Sequence, residues 1–197
     1  MPRAVLDMMD RRPIWAMPPW VPERIRAALP DAWQLVVIDE ETDGSGDGRG
    51  RVTAAVLDAV ASAEIYFGYG IAAELIEAGR ALRWVHSGAA GVGKSLTPVM
   101  LSSEVIFTNS AGIHAEPIAE YVIGMILFFG RGLDLAVTNQ RTSAWHADAY
   151  YHDEAPLSEL STSTVGIVGY GGIGKEVARR AASLGARVVA LKRSEPG

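Results

Sequence analysis

The sequence contains no cysteine among its 197 residues. Disulfides, thiolate metal sites and a cysteine nucleophile are therefore excluded. An excess of positive charge is also missing: the net charge is −5 at pH 7, which gives no general attraction to nucleic acid or to an anionic membrane. We therefore expect neither nucleic acid nor a membrane as a partner, and local groups must hold any bound anion.

Long hydrophobic runs are absent as well. The longest, YVIGMILFFG, covers residues 121–130 and is shorter than the roughly 20 residues that span a bilayer. Asp7 and Asp10 lie where a signal peptide needs an unbroken apolar core. With 49% hydrophobic and 21% charged residues, the composition is typical of a globular protein, and we expect a cytoplasmic one.

Apolar runs of strand length alternate with helix-like stretches along the chain. The strand-like runs are RAVLDMM (3–9), QLVVID (34–39), AEIYFGY (63–69), LRWVHS (82–87) and EVIFTNS (104–110). The stretches between them repeat apolar residues every three or four positions. This alternation predicts an α/β fold, a parallel sheet with helices on both faces. A long helix is predicted over 115–133, buried on most sides, and 141–162 is interpreted as an arm or linker.

A glycine-rich segment follows the β-branched run TVGIV (164–168) and precedes the helical stretch KEVARRAASLG (175–185). Its spacing is G-x-G-x-x-G, which within a βαβ unit is a dinucleotide-binding fingerprint. Gly169 permits the sharp turn, Gly171 lets the backbone approach a diphosphate, and Gly174 lets helix and strand pack closely. The predicted cofactor-binding residues of this turn are Gly169, Tyr170, Gly171, Gly172, Ile173 and Gly174.

The choice of nicotinamide cofactor is expected at the end of the second strand of this unit, where an acidic residue would bind the ribose 2′-hydroxyl of NAD. The sequence has Lys192, Arg193 and Ser194 there, and no carboxylate. These side chains would give a 2′-phosphate charge-assisted hydrogen bonds. We therefore predict that NADP(H) is favoured over NAD(H).

A second glycine cluster, SGAAGVGKSL (87–96), has two incompatible interpretations. It matches the G-x-x-x-x-G-K-S pattern of a P-loop NTPase, and Asp39 at the end of LVVID could serve as its Walker B acid. Against this, Pro98 would interrupt a helix that has to start at Lys94. Alternatively, consecutive N–H groups of the turn form an anion nest for a small carboxylate. In that case the binding residues are Gly88, Ala89, Ala90, Gly91 and Val92.

Three segments resemble the D-isomer-specific 2-hydroxyacid dehydrogenases. RWVHSGAAGVG is similar to the substrate loop of that family, TNSAGIHAEPIAEYVIGMIL (108–127) to the stretch leading into its long interdomain helix, and TVGIVGYGGIGKEVARRAASLGARVVAL to the start of its nucleotide domain. The resemblance implies a flavodoxin-like substrate domain over 1–110. Over 111–197 it implies the interdomain helix, an arm and the first βαβ of a Rossmann domain. Gly93 stands where the family commonly has an acid.

The family's catalytic groups are an Arg, a Glu and a His in the second half of the nucleotide domain. The sequence ends 34 residues after Ser163, about the length of one βαβ unit. Either the sequence is a truncated piece of a longer enzyme or another chain completes it. We favour truncation, expect the chain to be inactive alone, and predict no catalytic residue. The histidines, His86, His114, His146 and His152, all precede the fingerprint. No metal site is predicted, since His114 and Glu116 lack a second histidine one turn away.

Three functions remain open from the sequence. The resemblance implies hydride transfer between a nicotinamide and a small 2-oxoacid such as glyoxylate, hydroxypyruvate or pyruvate. A non-catalytic NAD(P)-binding regulator of the same fold is the second possibility, and a P-loop NTPase is the third. The helix over 115–133 and the aromatic arm after it favour a two-fold homodimer.

Overall fold

Five parallel strands form the sheet of the first half of the chain. The computed structural model describes residues 1–10, 12, 13, 15–40, 52–151 and 157–193. Its first compact unit is Met1–Ala111. The elements of this unit are β1 (Arg3–Asp7), α1 (Val21–Ala28), β2 (Gln34–Val37), α2 (Ala54–Val60), β3 (Ile65–Gly68), α3 (Ala73–Ala78), β4 (Trp84–Ser87), α4 (Pro98–Ser102) and β5 (Ile106–Asn109).

The strand order of this sheet is β2-β1-β3-β4-β5, which is the flavodoxin-like doubly wound order. The expected fold class is therefore confirmed. The core consists of inward residues of the central strands and of the helices, among them Val5, Val60, Leu75 and Val85. Apolar runs such as RAVLD and IYFG are typical of parallel strands that helices cover on both faces.

One row of residues marks the carboxyl edge of this sheet, the edge at which doubly wound folds bind ligands. The strand register pairs Asp7 with Gly68, Gly68 with Ser87, and Ser87 with Asn109. The loop after β4 therefore starts at the ligand-binding edge, one strand in from the end of the sheet. Its neighbour on one side is the end of β5.

The second compact unit is Gly112–Gly197. It contains α5 (Ala115–Gly130), α6 (Leu133–Arg141), two 3₁₀ turns (Asp148–Tyr150 and Leu160–Thr162), β6 (Thr164–Val168), α7 (Gly172–Ser183) and β7 (Arg187–Leu191). β6 and β7 pair in parallel. α5 packs on α7 through Ala119, Ile123, Val177 and Ala181, and an ion pair joins Arg180 to Glu120 at 3.5 Å. This unit contains the predicted βαβ, with α5 packed against α7 and α6 following α5.

The long helix differs from its prediction in two ways. It ends at Gly130, and α6 follows at an angle of 72° after Gly132, whose φ is +64°. Only Ala119 and Ile123 of α5 are buried, whereas Tyr121 is 69% exposed. The prediction of burial on most sides is therefore wrong, because α7 covers a single face of α5. The apolar sequence extends around the cylinder without a second covering layer in the described part of the chain.

No described helix is by itself both long and apolar enough to cross a membrane. Together α5 and α6 reach the required length and composition, but they meet at the sharp bend.

Candidate functional site

Each of the three fingerprint glycines has its own physical reason in the structure. Gly169 has a φ of +98°, a conformation that side-chain-bearing residues rarely adopt. A Cβ on Gly174 would lie 2.2 Å from the carbonyl oxygen of Gly169, so the helix could not approach the strand so closely. A Cβ on Gly171 would meet no atom within 4 Å. The space beside Gly171 is therefore open to a ligand.

The N-terminus of α7 faces the same turn. The helix starts at Gly172, its N-cap residue is Gly171, and no side chain caps it. The N–H groups of Gly172, Ile173 and Gly174 thus lack the partners that a helix interior provides. The first turn of α7 contains no acidic residue that would compete for the positive end of the helix dipole. This arrangement of amides can bind an anion such as a diphosphate.

The end of β7 lies beside the turn. The N–H of Gly169 donates to the carbonyl oxygen of Leu191 at 2.9 Å. Lys192 and Arg193 follow directly and are exposed. The two cations predicted to select the cofactor therefore leave the sheet next to the first fingerprint glycine. Ser194, the third predicted residue, lies outside the described residues.

In the loop after β4, only some of the backbone N–H groups predicted to bind a carboxylate are available. The N–H of Gly88 donates to the carbonyl oxygen of Gly68 at 2.7 Å, and that of Ala89 to Ser87 Oγ at 3.3 Å. The expectation of five available amides is therefore wrong for Gly88 and Ala89, because the β3–β4 ladder and the last side chain of β4 use them. The N–H groups of Ala90, Gly91 and Val92 have no acceptor among the described residues.

Contacts from the end of β5 hold this loop in place. Asn109 Nδ2 donates to the carbonyl oxygen of Ala90 at 2.7 Å, and the N–H of Ser110 donates to that of Ala89 at 3.4 Å. Asn109 is not among the site residues predicted from the sequence. The available signal was its place as a polar residue at the end of a predicted strand of the sheet.

His86 connects β4 to the same end of β5. Its Nδ1 lies 2.9 Å from Thr108 Oγ1 and its Nε2 lies 3.3 Å from Ser110 Oγ. Trp84 Nε1 also donates to Thr108 Oγ1, at 2.8 Å. Burial lowers the pKa of His86 below its ordinary value of 6.5, which favours the neutral ring. Both ring nitrogens are engaged inside the protein, as expected of a structural histidine.

The other described histidines, His114 and His146, lie in the second unit. His114 precedes the first residue of α5, and His146 follows α6. His152 lies outside the described residues.

The P-loop interpretation is wrong. Lys94 lies in a turn, and the next helix, α4, starts only at Pro98, with Thr97 as its N-cap. Ser95 is buried, and its Oγ accepts a hydrogen bond from the N–H of Ile71 at 3.2 Å. The strand that leads to Asp39, β2, is separated from β4 by β1 and β3. The sequence match therefore lacks the helix and the neighbouring strand that phosphate binding requires.

A half-buried acid, Asp7, and its hydrogen-bond partner lie at the ligand-binding edge. Tyr66 donates a hydrogen bond to Asp7 Oδ2 at 2.7 Å. Burial raises the pKa of Asp7, and the nearby Glu40 raises it further, while the hydrogen bond from Tyr66 lowers it. The bond ties β1 to β3 at the point where the strand order reverses.

Comparison with known proteins agrees with this architecture. Residues 123–197 match the profile of the D-isomer specific 2-hydroxyacid dehydrogenase, NAD binding domain. The chain is 30% identical over 128 residues to hydroxypyruvate reductase of Thermotoga maritima, covering 64% of this chain and 40% of that protein. It is 31% identical over 75 residues to glycerate dehydrogenase of Methylorubrum extorquens, covering 38% and 24%. The chain thus spans less than half the length of these relatives.

A solved structure shares the fold at greater sequence distance. The D-lactate dehydrogenase of Treponema pallidum superposes with a TM-score of 0.71 at 18% identity, over 99% of this chain and 54% of that one. The fold and the matched profile define an α/β protein with an NAD-binding domain. Residues 123–197 match the NAD-binding domain of the D-isomer-specific 2-hydroxyacid dehydrogenases, and the resemblance noted in the sequence is thereby confirmed.

Proposed function

We propose that this chain contributes the cofactor turn and the substrate loop of an NAD(P)-dependent oxidoreductase. The reaction is hydride transfer between a nicotinamide and a small 2-hydroxy or 2-oxo acid. The diphosphate binds at the turn 169–174, and the substrate carboxylate binds at the amides of Ala90, Gly91 and Val92. Residues 1–110 serve as the substrate domain, and residues 111–197 serve as the interdomain helix, the arm and the first part of the nucleotide domain.

The observation that carries this proposal is the geometry of the fingerprint turn. Positive φ at Gly169, open space at Gly171 and backbone contact at Gly174 occur together and are the three requirements for binding a diphosphate at a helix N-terminus. A glycine turn with a purely structural role has no need for the open position.

We infer that the cofactor is NADP(H) rather than NAD(H), because Lys192 and Arg193 follow β7 where an acid would bind a 2′-hydroxyl. Titration of the chain with NADPH and NADH, followed by nucleotide fluorescence, should give tighter binding of NADPH. Arg193→Ala should weaken NADPH binding and leave NADH unaffected. Arg187→Ala, at the opposite end of β7, is the matched control. Tighter binding of NADH by the unchanged chain would contradict this assignment.

The second candidate function is that of a non-catalytic NAD(P)-binding regulator. A measurement of turnover distinguishes it from the enzyme. One observation favours that candidate: both ring nitrogens of His86, the histidine nearest the substrate loop, are engaged by β5. We expect the 197-residue chain alone to bind nucleotide without turnover. The full gene product should oxidise NADPH with glyoxylate, hydroxypyruvate or pyruvate. Nucleotide binding by the full product without oxidation by any 2-oxoacid would support the regulator.

We further propose a cytoplasmic homodimer. Trp145 is 93% exposed and Tyr151 78% exposed, and they border a cavity of about 810 Å³ beside α6. Contiguous exposed aromatic groups of this kind favour association. Sedimentation of the full product should give the mass of a dimer, and Trp145→Ser should shift it toward the monomer.

A further inference from the structure

The side chain of Asn109, the last residue of β5, carries one further inference. We propose that Asn109 is a positioning residue, which holds the Ala90–Gly91 peptide so that the Gly91 N–H points toward the substrate carboxylate. This inference rests on the carboxylate-binding role proposed for the loop. It adds a residue outside the loop that determines how the loop binds.

Strand register brings Asn109 to the loop. Ser87 and Asn109 are partners in the parallel pairing of β4 and β5, and the loop leaves β4 directly after Ser87. Asn109 Nδ2 therefore reaches the carbonyl oxygen of Ala90, at 2.7 Å. Because a carbonyl oxygen can only accept, the side-chain amide must present its NH₂ group to the loop. This short bond holds the carbonyl of Ala90 toward β5.

Peptide planarity converts this hydrogen bond into a direction for the next amide. In a trans peptide the C=O and the following N–H point in opposite directions, and the described residues contain no cis peptide bond. The carbonyl of Ala90 points at Asn109, so the N–H of Gly91 points away from β5. The N–H of Ser110 donates to the carbonyl oxygen of Ser87 at 3.1 Å and also reaches that of Ala89 at 3.4 Å. This second, longer branch directs the N–H of Ala90 away from β5 as well. Two successive amides then face one side, as an anion nest requires.

The space around Gly91 is open. Gly91 is exposed, and a Cβ there would meet no atom within 4 Å. An anion can therefore approach the amide that Asn109 directs. The N–H of Gly88, by contrast, donates to the carbonyl oxygen of Gly68 in β3.

The direction of the Gly91 N–H can be measured without a ligand. Residual dipolar couplings of the ¹⁵N-labelled chain should change at Ala90 and Gly91 in Asn109→Ala and remain as in the unchanged chain in Gln34→Ala. Gln34 is an exposed side-chain amide at the start of β2 and serves as the matched control. Unchanged couplings at Gly91 in Asn109→Ala would overturn the inference, whatever the function of the loop.

Binding of oxamate, an unreactive analogue of a 2-oxoacid, tests the consequence. The dissociation constant should rise about tenfold in Asn109→Ala and further in Asn109→Asp, whose carboxylate would repel the carbonyl oxygen of Ala90 and turn that peptide away from β5. NADPH affinity should be unchanged, which separates positioning from a loss of folding. Equal oxamate binding by the unchanged chain and Asn109→Ala would overturn the positioning role alone. Failure of the unchanged chain to bind oxamate at residues 90–92 would overturn the proposed carboxylate site together with it.

Discussion

The two glycine turns of this chain use the same residue type for different physical reasons. In the turn 169–174 the glycines are required by the backbone itself, through the positive φ of Gly169 and the contact that Gly174 makes with the carbonyl of Gly169. In the loop after β4, neither Gly91 nor Gly93 has a positive φ, and neither would contact another atom through a Cβ. Asn109 and Ser110 fix that loop from β5. One turn is thus shaped by its own sequence and the other by its neighbours.

Among substitutions in the two glycine turns, Gly174→Ala should cause the largest loss in the free energy of unfolding. A methyl group in Gly174→Ala would lie 2.2 Å from a backbone oxygen, so β6 and α7 must move apart. We expect a loss of roughly 3 kcal/mol in the free energy of unfolding, measured by urea denaturation, together with a loss of NADPH binding. Gly166→Ala, whose Cβ would meet no atom within 4 Å, is the control in the same unit. A urea midpoint of Gly174→Ala equal to that of the unchanged chain would contradict the close packing of β6 and α7.

Gly169→Ala should have the next largest effect. Its φ of +98° is strained for alanine, at a cost of about 1–3 kcal/mol, without a direct clash. Gly91→Ala is the matched change in the other loop and should leave the free energy of unfolding within about 0.5 kcal/mol of the unchanged chain. Equal destabilisation by the two changes, in parallel urea titrations, would remove the distinction between the turns.

Acid pH should weaken the loop after β4 through His86. Its pKa in the folded chain is lowered by burial from 6.5, so between the two values the unfolded chain binds more protons. The contribution of the neutral ring is complete above about pH 6.5 and is lost as the pH falls below it. Thermal midpoints between pH 5 and 8 should show a smaller decline on acidification in His86→Asn. Parallel curves for the two proteins would show that His86 makes no such contribution.

Gly171→Ala should have the smallest effect on stability and still affect the cofactor. No atom lies within 4 Å of its Cβ position, so the unfolding midpoint should not move beyond about 0.5 kcal/mol. The methyl group would occupy the space proposed for the diphosphate, and NADPH binding should weaken at least tenfold. Unchanged NADPH affinity in this variant would show that the diphosphate does not approach Gly171.

Much of the turn 169–174 can be predicted from the sequence, and little of the loop after β4. The roles of Gly169, Gly171 and Gly174 follow from backbone geometry within six residues, and local pattern is sufficient for such a feature. The availability of the Gly88 amide depends on the carbonyl of Gly68, and the direction of the Gly91 amide depends on Asn109. Those contacts join residues far apart in the chain, and only the strand order of the sheet reveals them.

The sequence predicts the position of α5 correctly and its burial incorrectly. Gly130 and Gly132 are a signal for a helix end, and the prediction of one helix over 115–133 does not use it. The spacing of apolar residues also does not show how many faces of a helix are covered by other elements. Tyr121 and Phe129 are 69% and 55% exposed because α7 packs on only one face of α5.

The central claim is that amides of two separate glycine turns bind two different anions, and a pair of titrations monitored through backbone amide shifts tests it most directly. NADPH should shift the amides of residues 171–174 and leave residues 90–92 unaffected, and oxamate should do the reverse. NADPH that shifts the amides of residues 88–95 and leaves those of 171–174 unchanged would contradict the account.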